Sequence, residues 1–504
     1  MIESLRAENA ALRAANADLE RIASEHAFDL QRVRHQLAVL ERRLFGRSSE
    51  KISPHQLLFL DGLAAPAVED VPDDEAKGET TPETRKKRAH GRKPLPADLP
   101  RERVVYEIPE EDRICSGCQV PMQPFAEDVT DELDYIPARL FVRQHVRPKY
   151  SCRMCQQGVV QAPLPPRPIE KGRPGPGLLA QVLVAKYVDH LPIYRQAKIF
   201  LRHGIDLSDS TLCDWVGAAI GELSPIVAEL AKKVIASKVV AADETPIVVL
   251  EEHNGKRRRL GWLWVYRGLG GETVFDYRPS RGREGPQEFL RTYRGYLQRD
   301  GYQGYRGLPD GIVEVGCWAH ARRKFYEALS SSATQARGMI DLIRRLYAVE
   351  DDARHLEPSA RAALRREKSA PVIEAIAERL DALHASALPR SPLGMAVGYA
   401  RSQWPTLVRH LEDGDVAIDN NVVENCIRGV ALGRKNWLFA GSAAGAKRAA
   451  DIYSLIESCK SIGVDPFEYL SDILTRTTTA TAAQLLPRAW QAARAQAASA
   501  LSAS

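Results

Sequence analysis

The chain has 504 residues, 70 Lys+Arg against 65 Asp+Glu, a formal charge of +5, 44% hydrophobic residues and eight cysteines. That length excludes one small domain and predicts three or four units of roughly 100–200 residues, and the lack of any apolar run of ~18 residues excludes a transmembrane helix. A net +5 is too small to imply nucleic acid by itself, so its distribution decides.

The opening MIESLRAENA lacks the basic start and apolar centre of a secretory signal, so a reducing cytoplasm is expected, with cysteines free or metal-bound. Residues 2–44 carry heptads, with Ile2, Asn9, Asn16, Ala23, Leu30, Leu37 and Leu44 at a and Leu5, Leu12, Leu19, His26, Val33 and Leu40 at d. Globular helices rarely run so far, so residues 1–48 read as a coiled coil rather than one amphipathic helix on its own domain. Asn at two successive a positions favours a register-locked parallel pair, hence a homodimer or higher oligomer. Gly46 and Ser48 end the pattern.

Residues 49–100 read as a linker, first acidic and then basic. Positions 52–84 sum to −7, and Arg85, Lys86, Lys87, Arg88, Arg92 and Lys93 follow within nine residues. Such a cluster is either a solvated run or a basic arm for phosphates. In residues 101–170, Cys115-x-x-Cys118 and Cys152-x-x-Cys155 stand 33 residues apart. Two such turns complete the tetrahedral four-thiolate shell of structural Zn²⁺, a closed site that serves folding and not catalysis.

Residues 171–236 read as helices. PIYRQAKIFLRHGIDLSDSTLCDWVGAAI predicts a helix to Arg202, a turn at His203-Gly204 and a second helix capped by Ser208 or Asp209. That is the layout of a DNA-reading helix-turn-helix and also of a common packing device. From residue 237 the period changes to that of strands: KVVAADETPIVVL, GWLWVYRG and ETVFDYRPS, then a helix PQEFLRTY, strands GYLQRDGYQGY and IVEVGC, and a helix WAHARRKFYEAL. The expectation is an α/β sheet with an antiparallel opening, its first part spanning 237–325. Residues 326–416 read as a helical insertion, 417–465 as the second part of the sheet domain, and 466–504 as a mixed tail.

Three acids stand out. Asp243 follows the apolar VVAA, Asp300 ends GYLQR, and Glu424 lies in a predicted helix after Asp419-Asn420-Asn421. An Asp flanked by apolar strand residues carries a desolvation cost unless paired or bound to a cation. Two aspartates on neighbouring strands with a helix glutamate laid across them can hold two Mg²⁺ roughly 3.5–4 Å apart for in-line phosphoryl displacement. Singly, each acid reads equally as a turn or a solvated position.

ADETPIVVL, LQRDGYQGY, GCWAHARRKFYEAL, IDNNVVEN and ALGRKNWLFAGS resemble the signature blocks of the insertion sequence 66 family of bacterial transposases. The zipper with LFGRSSEK, the HGRKPLP segment and the four-cysteine module are similar to that family as well. The resemblance implies a multidomain α/β protein: a coiled coil, a zinc module and a helical region before an RNase H-like core with a helical insertion. It also implies Asp243, Asp300 and Glu424 as the catalytic, metal-binding triad, Mg²⁺ (or Mn²⁺) as cofactor, and terminal inverted repeats and target DNA as partners. Accessory proteins of the same element are implied too, with a nucleoid-associated location when DNA is bound.

Two positions depart from the family pattern: Asn425 stands where arginine usually follows the glutamate, and Gly429 where proline is usual. The missing guanidinium is one that holds phosphate bidentately. Arg428, Arg434 and Lys435 remain as candidate phosphate contacts. Cys317-x-x-His320 resembles a CxxH of many such transposases, and a structural hydrogen bond from His320 near the active site is the default over zinc, because two ligands do not make a site. Trp318, Trp404 and Trp437 are base-stacking candidates whose ordinary role is core. The expected activity is cleavage at each 3′ end of an element and joining to target DNA. The rivals are a catalytically impaired copy that binds DNA as a repressor, and an RNase H-type nuclease.

Overall fold

The computed structural model describes residues 140–151, 159–163, 167–169, 174–251 and 258–502. The heptads, the linker with Arg85, Lys86, Lys87, Arg88, Arg92 and Lys93, and the cysteines Cys115, Cys118, Cys152 and Cys155 lie outside these residues. Among the described residues, 140–162 and 163–502 belong to separate compact units. The first contains an antiparallel ribbon of β1 (Lys149–Ser151) and β2 (Val159–Gln161). Arg147 Nη1 extends its pairing by donating to the Ala162 carbonyl at 3.0 Å.

The second unit opens with α1 (Pro176–Tyr187), α2 (Ile193–Arg202) and α3 (Asp209–Ile235). Proline begins α1, where its missing N–H costs nothing. Gly204 takes φ +78°, the left-handed turn that glycine allows without strain. Ser208 Oγ caps α3 by accepting the Thr211 N–H at 3.2 Å. This second helix runs for 27 residues, because Leu212, Val216, Ala219, Leu223, Ile226 and Leu230 keep one face buried along it.

The sheet comprises β3 (Val239–Val249), β4 (Arg259–Gly268), β5 (Thr273–Arg278), β6 (Gly295–Gln298) and β7 (Ile312–Val315), in the order β5-β4-β3-β6-β7. The first three strands are antiparallel, and β6 and β7 run parallel to β3. A short α4 (Glu284–Phe289) lies on the crossover from β5 to β6. The stretch GYLQRDGYQGY, expected to be one strand, is paired only to Gln298. Asp300 Oδ1 accepts the Tyr302 N–H at 2.9 Å, a side-chain turn that bends the chain out of the sheet.

Helices α5 (Trp318–Ala328), α6 (Ala333–Ala353), α7 (Pro358–Leu364), α8 (Ala370–Ser386) and α9 (Pro392–Leu407) follow, and all but α7 contribute to a second apolar core around Met339, Ile343, Ile376 and Val397. His410 is buried against Trp318 and its Nδ1 lies 2.8 Å from the Leu407 carbonyl. Burial pulls its pKa down to about 4. A histidine depressed from about 6.5 contributes full stability above pH 6.5, and that contribution is lost as pH falls to about 4, about 3 kcal/mol in all. Urea midpoints measured from pH 7.5 to 4.5 are expected to fall less steeply in His410→Phe than in wild type. Parallel curves would contradict this.

The chain then returns to the sheet as α10 (Asn421–Trp437) and α11 (Ala443–Ser461), followed by α12 (Pro466–Arg476) and α13 (Pro487–Ser502). Edge strand β5 is covered by α11, whose Ser454 and Ser458 hydroxyls accept the Phe275 and Thr273 N–H groups at 2.8 and 2.9 Å. Those bonds satisfy donors that an open edge would offer to another chain. One apolar core includes residues of α1–α3, β3–β5, α10–α12 and Leu485, Leu486 and Trp490. The helices before the sheet and the segment after α11 therefore share the sheet's core. No described helix is long and apolar enough to cross a membrane.

Candidate active site

Strand β3 carries Asp243 at its centre, opposite Val265 of β4. Parallel β6 pairs Ala241 with Gln298, and Asp300 follows two residues beyond the end of β6. The third acid arrives through Asp419-Asn420-Asn421. Asp419 accepts the Asn421 N–H at 3.1 Å and the Tyr347 hydroxyl at 2.9 Å. Asn420, fully buried, donates Nδ2 to the Ala242 carbonyl at 2.9 Å and its backbone N–H to Cys317 Sγ at 3.3 Å. Gln298 Nε2 holds the Ala417 carbonyl at 2.7 Å. These bonds tie the start of α10 beside Asp243, so Glu424 in its first turn faces the sheet.

Burial and then the carboxylates of Glu244, Asp300 and Glu424 push the Asp243 carboxyl well above the usual range. Glu424 is raised chiefly by burial, against the pull of His320. The three acids thus act on one another electrostatically. Glu424 Oε1 and Asn420 Oδ1 are buried without a hydrogen-bond partner, an arrangement that costs about 1–3 kcal/mol per group unless something fills it. An all-oxygen carboxylate set of this kind suits a hard cation such as Mg²⁺ or Mn²⁺.

Cys317 and His320 also meet at this point. Cys317 is the N-cap of α5 and His320 stands on its first turn, with His320 Nδ1 3.6 Å from Glu424 Oε1. That separation is too long for a hydrogen bond between the two. Burial, then the charges of Glu424 and Asp419, push the Cys317 thiol well up. Trp318 is in the core, its Nε1 donating to the Leu407 carbonyl at 2.9 Å and its ring edge-on to Trp404 at 6.1 Å, so its face is closed to a base. Trp437 packs half-buried against the main core.

Of the expected phosphate contacts, Arg434 donates Nη1 to Thr245 Oγ1 at 2.8 Å and to the Pro246 carbonyl at 2.9 Å, fastening α10 to β3. Lys435 is exposed and Arg428 is half-buried, while Asn425 faces solvent beside Glu424.

Sequence reading missed a cluster next to the acids. Glu244, buried on β3, accepts Arg281 Nε at 2.9 Å and Nη2 at 2.6 Å, with the Tyr305 hydroxyl 3.3 Å from its other oxygen. Burial and Asp300 push its pKa up to about 7, opposed by Arg281. The Arg281 guanidinium lies 3.8 Å from the Tyr302 ring centre and 4.7 Å from that of Trp262. A side chain 41% exposed yet held on two faces is a pre-oriented fork. The adjacency of Asp243 and Glu244 was the available signal, because alternation places the second acid on the other face of the strand.

Family models match most of the chain: "Transposase IS66 family" over residues 171–448, "Transposase C of IS166 homeodomain" over 32–104, "zinc-finger binding domain of transposase IS66" over 112–156 and "IS66 C-terminal element" over 454–487. The zinc-finger match contains all four CxxC cysteines. Three uncharacterized proteins of Sinorhizobium fredii are similar over nearly their whole length. Protein y4qI is 34% identical across 94% of this chain and 92% of its own, y4jD is 32% identical across 91% and 94%, and y4hP is 34% identical across 90% and 88%. The blocks around the three acids, the zinc-finger match and these full-length relatives agree, and the chain belongs to the IS66 transposase family.

Proposed function

We propose that this chain is the DNA transposase of a bacterial insertion sequence, cleaving the element's 3′ ends at its terminal inverted repeats and joining them to target DNA. The observation that carries the reading is that Asp243 on β3, Asp300 just beyond the end of neighbouring β6 and Glu424 in the first turn of α10 lie near enough to act on one another electrostatically. The strand order, three antiparallel strands followed by two parallel ones, supports an RNase H-like core, with α6–α9 as its helical insertion.

Asp243, Asp300 and Glu424 would hold Mg²⁺ or Mn²⁺, which when bound would activate the attacking oxygen and stabilise the leaving one. Asn420 and Asp419 position Glu424. Arg281 receives a phosphate of the end DNA: Glu244 occupies Nε and Nη2, and Nη1 has no partner among the described residues. Arg428 and Lys435, the arm Arg85–Lys93, the zinc module and the α2–α3 region grip the ends, and the amino-terminal coiled coil pairs two protomers so that both ends are held. The protein acts in the bacterial cytoplasm on the nucleoid, with accessory proteins of the same element as further partners.

The test is metal-dependent nicking of a duplex carrying the element's terminal repeat. Nicking at the 3′ end, absent from scrambled duplex, supports the reading. Binding without nicking leaves a repressor-like copy, and cleavage of any RNA–DNA hybrid leaves a nuclease. Arg281→Ala is expected to weaken end binding roughly tenfold and reduce the salt slope of log Kd by about one, measured by fluorescence anisotropy at several salt concentrations. An unchanged slope removes Arg281 from the interface.

A further inference from the structure

Among the described residues, one group of three His, Cys or acidic side chains brings its ligand atoms mutually within 4.8 Å: Cys317, His320 and Glu424. The three catalytic carboxylates do not form such a group. Chain geometry explains the convergence. Cys317 caps α5 and His320 lies three residues on, the spacing at which a cap residue and the first turn face each other. Asn420, bonded to Cys317 Sγ, begins the helix that carries Glu424.

The separation between His320 and Glu424 fits a shared cation better than a hydrogen bond. Two ligands on one tetrahedral zinc, with bonds of about 2.0–2.3 Å, lie roughly 3.3–3.6 Å apart, and His320 Nδ1 lies 3.6 Å from Glu424 Oε1. Both atoms are buried and neither has a hydrogen-bond partner. A thiol, an imidazole and one carboxylate form a borderline-soft set, unlike the all-oxygen set of Asp243, Asp300 and Glu424.

We propose that Cys317, His320 and Glu424 form a second zinc site, with three protein ligands and a fourth, open position. Zinc enters as the divalent ion, and Cys317 releases its proton to solvent as the thiolate–metal bond forms. Because Glu424 belongs to both sets, zinc here withdraws it from the hard cation, so the site holds the enzyme in a resting form. That consequence rests on the proposed catalytic reading, whereas zinc binding itself does not.

The experiment uses the full-length protein equilibrated with Zn²⁺ and freed of excess by gel filtration. Elemental analysis is expected to show one more zinc per protomer in wild type than in Cys317→Ser or His320→Ala, whatever the four-cysteine module holds. Equal content in all three overturns the site. X-ray absorption at the zinc edge of wild type, which needs no variant, is expected to show nitrogen or oxygen scatterers at about 2.0 Å beside sulfur at about 2.3 Å. A shell of sulfur alone overturns it as well.

Discussion

Asp243→Asn, Asp300→Asn and Glu424→Gln are each expected to lower metal-dependent cleavage of end DNA by at least ~10³-fold while binding of the same DNA persists. The size follows from the proposed role: a carboxylate that holds a cation stabilises charge developing in the transition state, where even a single neutral donor is worth 10²–10³. Folding is expected to survive, because Asp243 is raised well above the carboxylate range by burial and then by Glu244, Asp300 and Glu424. A carboxyl raised in the folded state costs nothing below its unfolded pKa, and its cost grows as pH rises from there until the folded carboxyl ionises too. Metal-free Asp243→Asn should therefore melt at or above wild type at pH 8, with the difference fading toward pH 4, and Mg²⁺ or Mn²⁺ should raise the melting temperature of wild type but not of the variant. Undiminished nicking by Asp243→Asn removes the triad from the chemistry. Retained nicking together with full zinc content in the Cys317 and His320 variants would separate that failure from failure of the second zinc site.

Arg365→Met is expected to cost about 3–5 kcal/mol of stability. Arg365 is 1% exposed in a π-helical turn between α7 and α8. Its Nε and Nη2 meet both Glu350 oxygens at 2.8 and 2.6 Å, and its Nη1 donates to the carbonyls of His410, Asp413 and Val416 at 2.7, 3.0 and 2.9 Å. Methionine fills the volume but leaves a carboxylate and three carbonyls without their donor, each costing more unpaired than its bond contributed. Glu350→Leu added to Arg365→Met should recover part of the loss, because the orphaned charge goes with it. The segment those carbonyls hold runs directly into Asp419-Asn420, so cleavage should fall with stability. Urea unfolding of the single and double variants checks this, and a wild-type midpoint for Arg365→Met contradicts it.

Much of the sheet was legible because its strands are β-branched and aromatic runs of regular period, and Asp243 and Asp300 stood out because acids beside apolar strand residues are costly. The length of α3 was less legible. Its amino-terminal turns look like a reading helix, and only the apolar spacing continued to Val234 shows a helix buried along its length. Cys317-x-x-His320 was visible as a motif but looked like two ligands without a third, since Glu424 lies more than a hundred residues further on. Glu244 was hidden beside its neighbour, and Arg281, far away in sequence, had no local signal at all.

By itself the sequence determined the family, the strand runs, the four zinc-spaced cysteines and the three acids, because periodicity, ligand spacing and long motifs are properties of neighbouring residues. Tertiary structure alone decided which side chains come near one another. It placed Asp300 just beyond the end of the strand that pairs beside Asp243, tied the start of Glu424's helix to Ala242 through Asn420, and brought that glutamate close to Cys317 and His320. It also turned Arg434 inward to Thr245 and stacked Arg281 on Tyr302 and Trp262. The physical reason is that register, helix docking and the pairing of buried charge depend on contacts distant along the chain, and no local pattern carries that information.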